Sequence, residues 1–342
     1  MRPSFVADRP IMTARDIALI GATSAYGEAI RELLDERDVP LGRLHLLASG
    51  ESAGQNLPFR GSNLRVAGLE GFDFAQVGLV ILAVPAAVVE TLRPQLAAAG
   101  CAVLDLSGAS AAASVLPCIN GETLDSLPAA AWLGVPLAAA QAAASVAAVL
   151  ARFNTLSDAS LTACLAASGA GRGGVEELAR QATELLNGRP VEARLFEGQL
   201  AFNLLGRTGA PAVGGYTAQE HRLLDECQQV LGETLPVLDV TAVQAPVFFG
   251  DSLALSLRGR EAWQLEQVLE ALGDEPGLAL DEDVDCPSAV GDALGREEVL
   301  VGRVRLHPRD ARRLECWLVA DNVRLSALTA VQLAELLLKQ SA

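Results

Sequence analysis

Basic residues are in short supply in this chain. Twenty-six Lys and Arg stand against 42 Asp and Glu, a formal net charge of −16 over 342 residues. Nucleic-acid binding needs a basic face that releases counterions, and an anionic membrane surface asks for the same, so no nucleic acid and no membrane is expected as a partner. The six cysteines (Cys101, Cys118, Cys164, Cys227, Cys286 and Cys316) form no C-x-x-C pair. That removes structural zinc and dithiol redox chemistry, and scattered reduced thiols of this kind point to a cytoplasmic protein. No metal site is expected. The opening residues MRPSFVADRPIMTARD have no apolar core and do not read as a secretory signal.

Charge is also missing from one long stretch, 129–151, AAAWLGVPLAAAQAAASVAAVLA. Its length suits the roughly 20 residues of a membrane span. Alanine is nearly neutral for insertion, however, and Pro136, Gln141 and Ser145 interrupt the run. A buried core element is the better reading: a strand ending over 133–135, a break at Pro136, and a helix over 137–150 on alanine propensity. Many α/β enzymes hold a nucleophile where a buried strand turns into a buried helix. This turn offers Leu137, Ala138, Ala139 and Ala140, none of which can attack.

What is present reads as α/β. Short apolar runs at 17–20 (IALI), 44–48 (LHLLA), 79–84 (LVILAV) and 102–106 (AVLDL) alternate with helical spacing at 28–37 and 87–99, the pattern of a doubly wound parallel sheet. The first run ends in GATSAYG, residues 21–27. Gly21 permits a tight turn, Gly27 lets the following helix pack closely, and the helix N-terminus would face a pyrophosphate. Ser24 stands where the middle glycine of such a motif is usual, and would crowd a phosphate. Glu51, after the second strand, favours ribose hydroxyls over a 2′-phosphate.

Further on, a strand over 161–167 runs into a second Gly-rich turn, SGAGRGG, and a helix over 175–186. Strands are expected at 235–247, 253–257, 300–306 and 315–320, and helices at 263–272 and 323–339. Asp281, Glu282, Asp283 and Asp285 lack the ligand alternation of a calcium loop and read as a solvated turn. His45 and His307 read as structural.

Seven segments, in order, resemble the aspartate-semialdehyde dehydrogenase family: GATSAYG (21–27), LASGESAG (47–54), SGAGRGG (168–174), LAFN (200–203), YTAQEHR (216–222), LVGRVR (300–305) and WLVADN with AVQLAE (317–322, 330–335). The resemblance covers nearly the whole chain. It implies a Rossmann-type dinucleotide-binding domain at 15–137 after an extension at 1–14. An α+β catalytic and dimerisation-type domain follows at 138–318, and a C-terminal helix at 319–342 returns to the first domain. The family's reaction is the NADPH-dependent reductive dephosphorylation of L-aspartyl 4-phosphate to L-aspartate 4-semialdehyde, through a cysteine thioester, in amino-acid biosynthesis. By resemblance NAD or NADP would lie against Gly21, Thr23, Ser24, Ala25, Tyr26, Gly27, Ser49, Glu51, Ser52, Ser168, Gly169, Gly171 and Asn322. A homodimer is implied, and a heterodimer with an active relative is conceivable.

The catalytic residues do not carry over. The nucleophile's position is Ala138, the acyl-orienting glutamine's is Leu165, the substrate arginine's is Gln244, and the general base's is Asp251. The phosphate arginine falls among 109–112, where there is no arginine. Without a thiolate the thioester route is closed. The pattern resembles the Usg-like branch: fold kept, active site erased. The expectation is an inactive dimeric paralogue. The alternative is an NAD(P)-dependent oxidoreductase acting on another carbonyl without a thioester. A relocated pair between His221 and Cys164 or Cys118 is a weaker alternative than buried thiols.

Overall fold

Four consecutive apolar residues begin the molecule's first sheet. In the computed structural model, which describes residues 15–340 except 110, 111, 129, 236 and 281–284, the Ile17–Ile20 strand (β1) is fully buried. It is followed by Ala25–Glu36 (α1), Leu44–Ala48 (β2), Asn56–Phe59 (β3), Ser62–Arg65 (β4), Ala67–Gly68 (β5), Leu79–Leu82 (β6), Ala86–Ala99 (α2), Ala102–Asp105 (β7), Ala113–Ser114 (β8), Pro117–Asn120 (α3) and Trp132–Gly134 (β9). The sheet order is β5-β2-β1-β6-β7-β9-β8, parallel throughout, with β3 and β4 apart as an antiparallel hairpin. Strands with both faces covered carry no polar alternation, as LVIL in β6 illustrates.

The second unit contains Ala138–Ala151 (α4), Leu156–Leu165 (β10), Gly171–Leu186 (α5), Ala218–Leu231 (α6), Leu238–Gln244 (β11), Asp251–Gly259 (β12), Leu265–Gly273 (α7), Leu278–Leu280 (β13), Val299–His307 (β14), Asp310–Ala320 (β15) and Asn322–Gln340 (α8). Its mixed sheet runs β11-β10-β12-β15-β14-β13. Helices α4, α6 and α7 cover one face. The other face presents Ser160, Thr162, Thr241 and Ala254 to solvent, so β10 and β12 alternate apolar-in and small-polar-out.

The charge-free stretch is a core element. Eleven of the residues of α4 are buried, and it packs against α6, α7, α8 and the second sheet. Alanine suits that position because its short side chain lets helices and sheet approach closely. Gln141 is the polar exception, and it is satisfied: its Nε2 donates to the Pro136 carbonyl at 2.7 Å and its Oε1 accepts from Thr329 Oγ1 at 2.6 Å. No described helix is long and apolar enough to cross a membrane.

Several boundaries shift for physical reasons. Helix α5 begins at Gly171 rather than 175, because the glycines that suggested a loop are its first turn. Trp263 lies before α7, and its Nε1 donates to the Arg312 carbonyl instead. Helix α8 leaves the second sheet and inserts Ala327, Ala330, Val331, Leu333 and Ala334 into the core formed by β1, β6, β7 and α1. The extension at 1–14, Ser110 and Ala111, and Asp281, Glu282 and Asp283 of the acidic run lie outside the described residues, as does the side chain of Glu51.

Candidate functional site

The two Gly-rich turns come together between the sheets. Gly21 has φ +85°, and a Cβ there would strike the Ala83 carbonyl, while a Cβ on Gly27 would strike the carbonyl of Gly21. Both glycines are therefore required by close approach. Ser24 has a role within the protein itself. It is the N-cap of α1: its Oγ accepts from Gly27 N at 3.0 Å and donates to the Ala83 carbonyl at 3.1 Å. The hydroxyl is thus held by the protein's own backbone. Arg172, from the second turn, donates to the Thr23 carbonyl at 3.1 Å, which ties the start of α5 to the start of α1.

Ser49, Gly50 and Ser52 lie in the short turn after β2, whose Leu47 carbonyl accepts from Gly21 N at 2.9 Å. Beside that turn a groove of about 460 Å³ is lined by Ala53, Gly54, Arg65 and Ala67. Ser168 and Asn322, assigned to the cofactor by resemblance, are bonded to each other. Ser168 Oγ donates to Asn322 Oδ1 at 2.9 Å, and the same oxygen accepts from Gly250 N at 2.9 Å. Both residues are buried. Tyr26, in the first turn of α1, is partly buried. Burial, with the Asp251 carboxyl nearby, pushes its hydroxyl up to about 12, against the opposing pull of Arg222.

The four positions that resemblance assigns to catalysis have internal roles. Ala138 is the first residue of α4, 3% exposed, with only a methyl group. Leu165 and Gln244 are register partners on β10 and β11, and Gln244 Nε2 donates to the Leu165 carbonyl at 2.8 Å. Asp251 opens β12 and accepts from Ala166 N at 2.9 Å. Burial, reinforced by Asp321 and opposed by the Ala166 N–H, raises its carboxyl to about 7.

Sequence reasoning missed the pair that lies over this end of the first sheet. Arg222 Nη1 donates to the Ser107 carbonyl at 2.8 Å and Nη2 to the Leu106 carbonyl at 3.1 Å. Its Nε donates to Glu226 at 2.6 Å, and the other Glu226 oxygen accepts from Leu137 N at 2.8 Å. The i, i+4 spacing of Arg222 and Glu226 was the available signal. A carboxylate is thereby already present at the N-terminus of α4. Thr217 and Glu220 form a capping box, and Glu220 Oε1 also accepts from Ala242 N at 3.0 Å; the T-x-x-E spacing announces it.

The relocated nucleophile gains no support from the geometry. His221 Nε2 lies 3.0 Å from the Val213 carbonyl, and its ring packs on Tyr216. Cys118 is exposed and Cys164 partly buried, which corrects their reading as buried thiols, and desolvation raises both away from thiolate character. His45 pairs with Asp16 and His307 Nδ1 accepts from Arg309 N, both structural arrangements.

Comparison with known proteins places these features in a family. Residues 16–136 match the domain described as semialdehyde dehydrogenase, NAD binding domain, and residues 146–325 match semialdehyde dehydrogenase, dimerisation domain. A USG-1 protein homolog of Azotobacter vinelandii is 49% identical over 331 residues, covering 96% of this chain and 98% of that protein. The structure of a probable aspartate-semialdehyde dehydrogenase from Pseudomonas aeruginosa superposes with a TM-score of 0.90 at 47% identity, covering 96% of this chain and 100% of the other. Aspartate semialdehyde dehydrogenase II from Vibrio cholerae, solved as a complex with ASA, gives a TM-score of 0.90 at 32% identity over 96% of this chain and 99% of that one. This chain belongs to the aspartate-semialdehyde dehydrogenase family, in its Usg-like branch.

Proposed function

We propose that this chain is a catalytically silent, dimeric member of the family that keeps a nucleotide-binding first domain and has lost thioester chemistry. One observation carries the reading: the helix start that would present a nucleophile presents the methyl of Ala138, and no thiol stands in for it. Leu165 and Gln244 are stapled to each other, and a buried Asp251 replaces a base that would have to titrate freely. The units are a nucleotide domain at 15–137, a dimerisation domain at 138–318 and the returning helix at 319–342. The open face of the second sheet, rich in Ser, Thr and Ala, would be covered by a second copy or by an active relative.

The test is the family's reaction run as an oxidation, with L-aspartate 4-semialdehyde, NADP⁺ and phosphate supplied to the purified full chain. No turnover above a buffer blank is expected, and turnover well above it overturns the reading. Light scattering of the eluted protein should give twice the 35.6 kDa chain mass.

A further inference from the structure

Positive charge is concentrated at one corner of the molecule. Against a net charge of −16, seven of the 26 basic residues lie in two short stretches, 258–260 (RGR) and 303–313 (RVRLHPRDARR), and all seven are arginine. The fold joins the two stretches. Arg258 and Arg313 are register partners on β12 and β15, and 303–313 spans the β14–β15 hairpin, which closes at His307 and Asp310. This is the end of β12 away from Asp251, seven residues along the strand, or about 23 Å at about 3.3 Å per residue.

The carboxylates here do not suffice. Asp310 is shared: it accepts from Arg258 Nη2 at 3.0 Å and from Arg312 Nε at 3.2 Å. Glu315 takes Arg305 at 2.7 Å, and Asp158 stands 3.9 Å from Arg313. Arg260, Arg303 and Arg309 are exposed, and among the described residues none of the three is in an ion pair. With Glu261 next to Arg260, seven guanidinium groups meet four carboxylates.

The platform is stiff. Trp263 N donates to the Ala311 carbonyl at 3.0 Å and its Nε1 to the Arg312 carbonyl at 2.9 Å, so the backbone that carries the tip arginines is pinned from inside. Guanidinium forks on a fixed backbone suit paired contacts to carboxylates, and little ordering is required on binding. The site is also small. Helix α7 begins at Leu265, and Glu266, Glu270 and Asp274 are exposed along it and at its end, so a long polyanion laid across the tip runs onto repelling charge. A few carboxylates on a short segment meet only the arginines.

We propose that the β14–β15 hairpin and the end of β12 dock a short carboxylate-rich segment of a partner protein. The surface lies apart from the Gly-rich turns, and the proposal does not rest on the nucleotide-binding reading.

Fluorescence anisotropy of labelled octaglutamate with the full chain tests this. At about 50 mM salt binding should saturate, and at about 200 mM it should weaken about fivefold, because exposed charge pairs are screened. Arg309→Ala with Arg312→Ala should weaken it about tenfold, whereas Arg189→Ala with Arg194→Ala, exposed arginines elsewhere, should leave it within about twofold. No saturable binding at the lower salt, or equal affinities in the two double variants, overturns the proposal. Tighter binding of a single-stranded thymidine oligonucleotide than of octaglutamate overturns it in favour of a nucleic-acid surface. A change of mass by light scattering on replacing Arg309 and Arg312 overturns it in favour of a contact between copies.

Discussion

Asp251 gives the structure its sharpest energetic signature. The carboxyl is 6% exposed, and burial holds it protonated up to about pH 7 against an ordinary value of 3.8. Between those limits the folded protein keeps a proton that the unfolded chain has released. The group's favourable contribution is therefore complete below about pH 4 and is lost as the pH rises through about 7. Over the two pH units from pH 5 to about 7 the linkage amounts to about 3 kcal/mol at 1.36 kcal/mol per unit. Asp251→Asn keeps an acceptor for Ala166 N and removes the titration. In urea unfolding at pH 5 the variant and the wild type should agree within about 1 kcal/mol. At pH 8 the variant should be the more stable, with the gap widened by about 2 to 3 kcal/mol. A gap that does not widen between pH 5 and pH 8 refutes the reasoning, because it would mean that the buried carboxyl is ionised throughout.

Three further outcomes follow from the geometry. Ala138→Cys should not turn over aspartate semialdehyde in the coupled NADP⁺ assay, since Leu165, Gln244 and Asp251 remain; clear activity would show the site to be misplaced. Gly27→Ala should cost about 3 kcal/mol or more in urea unfolding, because the new Cβ collides with the backbone carbonyl of Gly21 rather than with a movable side chain. Arg222→Ala leaves Glu226 buried without its cation and should cost about 3 to 5 kcal/mol at pH 7. That loss should shrink at pH 4, where the carboxyl takes up a proton; equal losses at both pH values would contradict it.

The backbone frame was readable from local chemistry. A fully buried IALI run and glycines at the two points where backbones meet are demanded by sterics, so their residue types announce them. The direction of a side chain is a different matter. Nothing local tells whether Ser24 turns toward a ligand or caps its own helix, because the Ala83 carbonyl that decides it lies 59 residues away. Ser168 read as one residue of a glycine-rich turn, and its hydroxyl is held by Asn322, 154 residues further along the chain. The short pairs β3–β4 and β5 escaped periodicity because two to four residues carry too little of it. Resemblance assigned four positions to catalysis but could not show what holds the residues there, such as the Gln244–Leu165 bond.

The course of α8 has a consequence for biosynthesis. The first sheet's core is completed by Ala327, Val331 and Leu333, which follow every strand of the second sheet in the chain. The nucleotide half therefore cannot finish folding until α8 has been synthesised. A chain stopped after Ala320 would leave one side of β1, β6 and β7 without its helix, exposing an apolar surface suited to chaperone capture.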